Sequence, residues 1–261
     1  MPGAKGIHSH KIFKLGKAPA KRDPRNLLFS AVLKRPPPAP PAYDFDLEHP
    51  GTPTPMFLND TYGDCVIAGR AHQTLRFEKL EQRSEIAISD KEVIDEYLKE
   101  TGGDDTGLIV LDSLKLWRKR GWRAAGARYR IRALAQIDPG SEDEISSAVY
   151  LDIGVGLGLL LPLTASRQIE AGKPWDVGKG PGSKPGSWGG HYVYVPAYTE
   201  AGPVCVTWGR KQPMTWEFLQ KYCDEAYVII DAVKTPKKRR GLDGREIEGF
   251  LAGLEGAGSP R

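Results

Sequence analysis

The sequence predicts an α+β fold, in which helices come first along the chain and strands follow. From residue 64 to residue 151, apolar residues recur with the three- and four-residue spacing of helices that bury one face. From residue 153 onwards, short apolar runs and alternating residues replace that spacing, as is typical of strands. The composition, 40% hydrophobic and 27% charged over 261 residues, is that of an ordinary globular protein. Helices and strands segregated in this way favour the α+β class over an alternating α/β class.

Both ends of the chain are predicted to lie outside the folded body. Residues 1–40 contain nine Lys or Arg and one Asp, and residues 36–41 are nearly all proline. Consecutive prolines fix φ and remove backbone donors. We therefore expect residues 1–42 to form an extended basic arm without regular structure, which is either disordered or lies along a surface. Residues 43–233 then form the body, and residues 234–261 form a C-terminal tail.

Four helices are predicted in the first half of the body, each with a recognisable start or end signal. Capping side chains open three of them, and a glycine ends the other. The predicted helices are residues 64–80, 89–101, 108–122 and 141–151. In the first, Asp64 is the expected N-cap and Cys65 the first helical residue. The small residues Ala68, Gly69 and Ala71 indicate that this helix packs closely in the core.

Four strands are predicted after these helices. They are IGVGLGLLL at 153–161, HYVYVPAY at 191–198, GPVCVTWG at 202–209 and AYVIIDAV at 226–233. The apolar run at 149–163 contains an Asp and is shorter than the roughly 20 residues of a membrane-spanning helix, so we expect a buried strand and no membrane partner. Residues 171–190 form a loop rich in Gly and Pro, and loops of that length are usually functional or mobile.

Composition and cysteine usage argue against several classes of function. Three scattered Cys are too few for a disulfide scaffold, and they fit a reducing compartment, either cytoplasm or virion. No short pair of Cys or His ligands predicts a zinc site, so no metal or other cofactor is expected. No apolar run follows the basic N-terminal residues, so no secretory signal is expected. The stretch WGRKQPMTW mixes basic and aromatic residues without a nucleic-acid-binding motif, so nucleic acid is not an expected partner.

The heptapeptide NDTYGDC, residues 59–65, predicts a nucleophilic thiol. A cysteine at a helix N-terminus beside a histidine has a lowered pKa, because both favour the thiolate. Asn59 stands six positions before Cys65, close enough for its amide to face the same point, and Gly63 permits a sharp turn into the helix. His191 opens a predicted strand and is the candidate base. The alternative is that Cys65 is an ordinary core residue, since Cys is among the residue types most often buried.

The order of these motifs resembles that of the papain-like cysteine peptidase family. That family has an amide side chain six positions before its catalytic Cys, as Asn59 precedes Cys65, and its catalytic His opens a strand, as His191 does. Further segments that resemble the family in order are ISDKEVIDEYL at 88–98, the glycine-rich turn and helix at 101–122, VTWG at 206–209 and EAYVIID at 225–231. The resemblance covers residues 43–232. NDTYGDC with the WG pair is similar to papain-like proteins encoded by bacteria and their phages.

The resemblance implies a papain-like fold and a thiol hydrolase that cleaves a peptide, amide or isopeptide bond. The fold would consist of a helical half and an antiparallel β half with a cleft between them. Cys65 would attack the carbonyl carbon, and His191 would carry the proton. Asn59 and the Cys65 backbone N–H would hold the oxyanion. Trp188 and Trp208 are candidates for the cleft wall. If the pair is catalytic, the Cys65 Sγ is expected within about 3–5 Å of a His191 ring nitrogen.

One departure from the family pattern favours a different function. The Asn that orients the family's histidine would fall at Val206, and a valine cannot accept a hydrogen bond. Thr207, Asn59 or a water molecule would have to orient His191 instead. The alternative function is therefore a non-catalytic papain-like module that attaches to a larger assembly, such as a phage virion, through residues 1–42. The retained thiol, histidine and amide favour the hydrolase.

Overall fold

The computed structural model describes residues 13–32, 38–81, 85–152 and 154–231. These residues form an α+β fold, so the predicted fold class is confirmed. Residues 1–12, residues 33–37 with the first two prolines of the proline run, and the predicted tail at 234–261 lie outside the described residues. None of the described helices is both long and apolar enough to cross a membrane.

Eight α-helices lie in the described residues, and four of them match the predicted ones. They are α1 (Phe29–Val32), α2 (Phe45–Glu48), α3 (Cys65–Glu81), α4 (Asp90–Thr101), α5 (Val110–Arg120), α6 (Glu142–Tyr150), α7 (Leu163–Glu170) and α8 (Trp216–Tyr222). The predicted helices are α3 to α6. Ser89 opens α4 with the capping box that the sequence indicates, because its side chain accepts from the Glu92 N–H while Glu92 accepts from the Ser89 N–H.

Nine strands lie in the described residues, and seven of them form one antiparallel sheet. The strands are β1 (Tyr43–Asp44), β2 (Trp122–Ala124), β3 (Ala127–Tyr129), β4 (Ile131–Gln136), β5 (Gly154–Leu161), β6 (Gly189–Thr199), β7 (Gly202–Thr207), β8 (Arg210–Pro213) and β9 (Cys223–Asp231). The sheet has the order β4-β9-β5-β6-β7-β8, with β1 also paired to β6, and β2 and β3 form a separate hairpin. Strands β5, β6, β7 and β9 match the predicted ones. The other strands were not predicted.

The sheet separates two hydrophobic cores, because alternate residues of a strand point to opposite faces. On β6, Tyr192 belongs to the core shared with α3, α4 and α5, whereas Val193 belongs to the core shared with α6, α7 and α8. Helix α3 approaches β6 very closely at Gly69, where an added Cβ would lie 2.6 Å from the Tyr192 ring. The close packing predicted for the small residues of α3 is therefore found here. It brings the start of α3 next to the start of β6.

The helical half contains a buried ion pair that the sequence did not predict. Arg70 on α3 and Glu100 on α4 have fully buried side chains, and the Arg70 Nη1 lies 2.6 Å from the Glu100 Oε1. Arg70 also donates to the Ser113 hydroxyl at 3.0 Å. The rings of Trp117 and Trp122 lie 5.1 and 5.7 Å from the guanidinium carbon, within cation–π range. Through these contacts α3 is fixed against α4 and α5.

Replacing Glu100 by Ala should destabilise the protein by about 3–5 kcal/mol, because it leaves a buried guanidinium without its closest anion. Chemical denaturation of the full chain would measure the change in free energy of unfolding. Lys91→Ala is the matched control, since it breaks the exposed Lys91–Asp95 pair of 2.6 Å on the same helix. That variant should lose less than about 1 kcal/mol. Equal losses in the two variants would contradict a special role for the buried pair.

Candidate functional site

Cys65 is the first residue of α3 and lies in a buried position beside β6. Its Sγ accepts a hydrogen bond of 3.4 Å from the backbone N–H of Tyr192, the residue that follows His191. At the start of α3, the Ile67 and Ala68 N–H groups donate to the Asp64 carbonyl at 2.8 and 3.0 Å. The structure therefore brings the predicted nucleophile next to the segment that carries the predicted base.

The loop before Cys65 differs from the sequence-based expectation in two contacts. The Asn59 Nδ2 donates to the Asp64 Oδ1 at 2.8 Å and to the Tyr62 carbonyl at 3.3 Å. Both amide hydrogens are thus engaged within the loop, and in this arrangement neither is free for an oxyanion. The Asp64 carboxyl, predicted as the N-cap, accepts from Asn59, and it is the Asp64 carbonyl that accepts from the N–H groups of α3. Burial raises the pKa of the Asp64 carboxyl to about 8, so it is largely uncharged at neutral pH.

His191 is fully buried near the start of β6 and is held on two sides. Its Nε2 lies 2.6 Å from the Thr207 hydroxyl. Its ring stacks on Trp208 with a centroid distance of 4.1 Å and an interplanar angle of 11°. Burial lowers the pKa of the imidazole to about 3, so it is neutral at physiological pH.

Thr207, one of the groups considered for orienting His191, lies next to its ring nitrogen, one residue beyond Val206. The two residues are neighbours on β7, and neighbouring side chains of a strand point to opposite faces. Thr207 faces His191, and the buried Val206 sits at the register position opposite Tyr194 of β6. The Thr207 hydroxyl therefore occupies the place behind the imidazole.

The thiol and the imidazole do not form a hydrogen bond in this structure. The His191 Nδ1 is buried and has no hydrogen-bond partner among the described residues. Hydrogen bonds between catalytic groups are often loose in the absence of substrate. The expected distance of about 3–5 Å between Sγ and a ring nitrogen stays a prediction.

An extended piece of the N-terminal arm, residues 13–18, lies across this pair, and we call it the cleft segment. On the helical side, the Leu108 N–H donates to the Gly16 carbonyl at 2.8 Å, and the Ala18 N–H donates to the Leu108 carbonyl at 2.9 Å. On the sheet side, the Lys17 N–H donates to the Gly190 carbonyl at 3.1 Å. The cleft segment thus bridges the two halves like an added strand.

Glycines allow the backbone of the cleft segment to pack directly against the backbone of the body. A Cβ added at Gly16 would lie 1.7 Å from the Gly63 carbonyl oxygen. A Cβ at Gly107 would lie 2.3 Å from the Gly16 carbonyl oxygen, and one at Gly190 would lie 2.2 Å from the Lys17 carbonyl oxygen. Gly63 precedes the thiol and Gly190 precedes the histidine. The cleft is therefore shaped for a peptide backbone directly over the candidate dyad.

Side chains and a backbone carbonyl fix the N-terminal end of the cleft segment. Phe13 packs against Trp208 at a centroid distance of 4.8 Å and against Trp188 at 6.3 Å. The Trp208 Nε1 donates to the Lys14 carbonyl at 3.2 Å, and the Lys14 Nζ lies 3.1 Å from the Asp105 Oδ2. Both tryptophans predicted for the cleft wall thus contact the arm.

The rest of the described arm, residues 19–32, also lies against the body. Lys21 and Asp23 form ion pairs with Asp112 and Lys115 of α5 at 2.8 and 2.7 Å. Phe29, in the one-turn helix α1, is buried in the core of the sheet side. The described part of the arm therefore packs on its own chain, and it differs from the expected arm in two ways, since it forms the helix α1 and buries Phe13 and Phe29 in the core.

The cleft segment and its surroundings keep the thiol un-ionised. Burial raises the pKa of the Cys65 thiol to about 12, and hydrogen bonds from the Tyr192 and Gly16 amides offset only part of that rise. The Gly16 backbone amide lies beside the thiol, and the Gly16 carbonyl oxygen accepts from the Leu108 N–H. The arm therefore covers a thiol that stays protonated at neutral pH.

Several residues of this site carry no clear signal in the sequence. Leu108 and Gly190 bind the cleft segment through the backbone alone, so their side chains do not report their function. Gly107 and Gly190 stand in glycine-rich stretches, which indicate close backbone approach without indicating to what. Among the described residues, no group of three His, Cys, Asp or Glu side chains is arranged to hold a metal ion.

No protein-family model and no curated protein sequence matches the chain, but solved structures do. Xylellain, a cysteine protease from Xylella fastidiosa, is 15% identical over 87% of this chain and 99% of that chain, with a TM-score of 0.63. Procathepsin B from Trypanosoma congolense is 10% identical over 87% and 89% of the two chains, with a TM-score of 0.59. The Carica candamarcensis cysteine protease CMS1MS2, in complex with E-64, is 12% identical over 73% and 98%, with a TM-score of 0.55.

The likeness to these structures shows that the chain has a papain-like fold. The resemblance inferred from the order of motifs is thereby confirmed at the level of the fold. The predicted relation to a bacterial or phage branch of the family stays a prediction.

Proposed function

We propose that the protein is a thiol hydrolase that cleaves peptide or related amide bonds and is held latent by its own cleft segment. The observation that carries the proposal is the extended peptide bound over Cys65 by backbone hydrogen bonds with Leu108 and Gly190. Backbone hydrogen bonds of this kind do not depend on side-chain identity, so the same groups can receive the backbone of a substrate. A cleft that binds peptide over a thiol is suited to peptide hydrolysis.

The proposed reaction assigns the proton transfers to His191. In the productive tautomer the Nε2–H donates to the Thr207 hydroxyl, and the Nδ1 takes the proton of the Cys65 thiol. The thiolate attacks the carbonyl carbon, and the amine leaves with the proton from His191. Water, deprotonated by His191, then hydrolyses the thioester and restores the thiol. The stacked Trp208 shields the imidazole from bulk water.

The oxyanion needs donors that point at the carbonyl oxygen of the substrate. The Cys65 N–H at the start of α3 is the first donor, because helix geometry leaves it without an acceptor in the helix. The Asn59 amide is proposed as the second donor, and for this role one of its hydrogens has to leave Asp64 or the Tyr62 carbonyl.

Thr207 is proposed as a positioning residue for the imidazole. Thr207→Val keeps the shape of the side chain and removes the hydroxyl, so in a released enzyme kcat should fall about tenfold, in line with one lost hydrogen bond of about 1.4 kcal/mol. KM should change less than kcat. Thr207→Ser keeps the hydroxyl and should retain most of the activity. Equal rates for the Val and Ser variants would remove Thr207 from the mechanism.

A thiol-reactive epoxide such as E-64 tests the proposed function on the full chain carrying Gly16→Ala, which displaces the cleft segment. We expect a covalent adduct at Cys65 by mass spectrometry and hydrolysis of a peptide library, both absent when Cys65→Ala is added. Lys17→Ala, which removes the anchor of the segment, provides a second released chain if the first does not fold. A chain that binds peptides in the cleft without labelling or turnover would overturn the hydrolase and support the attachment module, with residues 1–42 as its contact.

A further inference from the structure

The most unusual side chain of the cleft segment is Lys17, which is fully buried beside two carboxylates. Its Nζ lies 2.9 Å from the Asp224 Oδ2 and 3.1 Å from the Glu225 Oε1. The Lys17 side chain has 0% exposure and that of Glu225 has 4%. An ammonium group loses its hydration in such a place, and it is stable there only because both anions replace the water.

We propose that this pocket is a substrate subsite that selects a basic side chain, Lys or Arg, so that the substrates are basic peptides. The proposal rests on the proposed function, because it names the substrate class of the same cleft. Lys17 is then the first occupant of a pocket that a substrate side chain enters after the arm has left.

The pocket is built by the body of the protein and not by the arm. Asp224 and Glu225 belong to β9, and Gly158 of the adjacent strand β5 forms the wall beside the Lys17 stem. A Cβ at Gly158 would lie 2.3 Å from the Lys17 Cε and 2.5 Å from the Glu225 Cγ. Glycine inside a strand weakens the strand and commonly marks a place where another group approaches closely. Here it leaves room for a long aliphatic stem.

The carboxylates at the end of the pocket are oriented towards the cation. The Tyr227 hydroxyl donates to the Glu225 Oε2 at 3.1 Å and leaves the Oε1 facing the Lys17 Nζ. Burial raises the pKa of the Glu225 carboxyl, whereas the charge of Lys17 lowers it. When Lys17 leaves, the buried carboxylate loses its closest compensating charge. An incoming ammonium or guanidinium restores that charge, whereas an apolar or acidic side chain does not.

The pocket lies close enough to the thiol to bind a substrate side chain next to the bond that is cleaved. The Gly16 amide, next to Lys17, lies beside the Cys65 thiol, and the Lys17 N–H donates to the carbonyl of Gly190, the residue before His191. A substrate backbone that uses the same hydrogen bonds therefore places one of its side chains in this pocket, within a residue or two of the bond that is cleaved.

Positional scanning of peptide substrates with the full chain carrying Gly16→Ala tests the subsite. At one position, we expect Lys and Arg peptides to exceed norleucine peptides in kcat/KM by about 100-fold, because norleucine has a similar stem without the charge. Glu225→Gln should reduce that ratio at least tenfold. Asp112→Asn is the matched control, because it breaks the exposed ion pair between Asp112 on α5 and Lys21 of the arm. This variant should leave the ratio unchanged.

A binding measurement separates this proposal from the proposed function. In the full chain carrying both Gly16→Ala and Cys65→Ala, fluorescence anisotropy can compare a labelled peptide with the sequence of residues 13–20 against the same peptide with norleucine in place of Lys17. Tighter binding of the Lys peptide, lost with Glu225→Gln, supports the subsite even if no peptide is hydrolysed. Equal affinities, or equal kcat/KM for Lys and norleucine substrates, would overturn the subsite and leave the carboxylates as an anchor for the arm alone.

Discussion

Replacing Gly16 by Ala should raise the rate at which an epoxide labels Cys65 by roughly 10- to 100-fold. The expected cause is steric, because the new Cβ would lie 1.7 Å from the Gly63 carbonyl oxygen, which is backbone and has little freedom to move. Overpacking of this kind typically costs about 1–3 kcal/mol. That cost falls on the closed state alone, so it increases the fraction of molecules with an open cleft. Time courses of labelling, followed by mass spectrometry, would measure the two rates.

The pH dependence of labelling provides a second measure of the same release. In the closed state burial raises the pKa of the Cys65 thiol to about 12, so the thiolate fraction of the wild-type chain keeps rising far above neutral pH. Release exposes the thiol, and its pKa falls towards the ordinary value of about 8.5 or below. Because a lower pKa means more thiolate at a given pH, the Gly16→Ala profile should level off at lower pH than the wild-type profile.

A control within the arm distinguishes release from general damage. Pro19 is exposed, directly after the cleft segment, and Pro19→Ala should label at the wild-type rate. If Gly16→Ala and wild type also label at equal rates with equal pH profiles, the cleft segment does not protect the thiol, and the proposed latency is wrong.

The sequence predicts the elements of this fold better than it predicts their assembly. Helices α3 to α6 carry caps, glycines and regular apolar spacing, so their bounds follow from local chemistry. Strand β4 was missed because it follows the short hairpin β2–β3 and lacks a long apolar run. Helices α7 and α8 have only eight and seven residues, too few for a periodic pattern to stand out.

The residues of the candidate site also differ in how far the sequence alone predicts them. Cys65 and His191 could be found because a helix start and a strand start are local features. The position of Thr207 behind the histidine depends on which face of β7 meets β6, and a shift of one residue moves a side chain to the opposite face. The binding of the arm could not be predicted at all, since it depends on contacts between Lys17 and Glu225, more than 200 positions apart.

In the released chain, His191→Ala should reduce peptide hydrolysis by a factor on the order of 10⁴, the scale seen when a member of a catalytic triad is lost. Without the imidazole, no described group is placed to take the thiol proton at neutral pH or to give a proton to the leaving amine. The variant should fold, because the buried imidazole is neutral and its loss leaves no unpaired charge beside Trp208 and Thr207. Steady-state kinetics with a basic peptide substrate would measure the loss.

Epoxide labelling of Cys65 distinguishes a chain that has lost only its catalytic base from a chain whose active site is disrupted. At neutral pH the His191→Ala chain should react slowly with the epoxide, but at pH 9 to 10 hydroxide ionises an exposed thiol and labelling should recover. Hydrolysis should stay low at the same pH, because ionisation of the thiol supplies the nucleophile but not the proton for the leaving amine. His49→Ala, which removes a histidine packed against Phe45 at 4.5 Å, is the matched control and should keep full turnover. If His191→Ala hydrolyses peptides within about threefold of the released parent, the base is another group and the mechanism proposed for Cys65 and His191 is wrong.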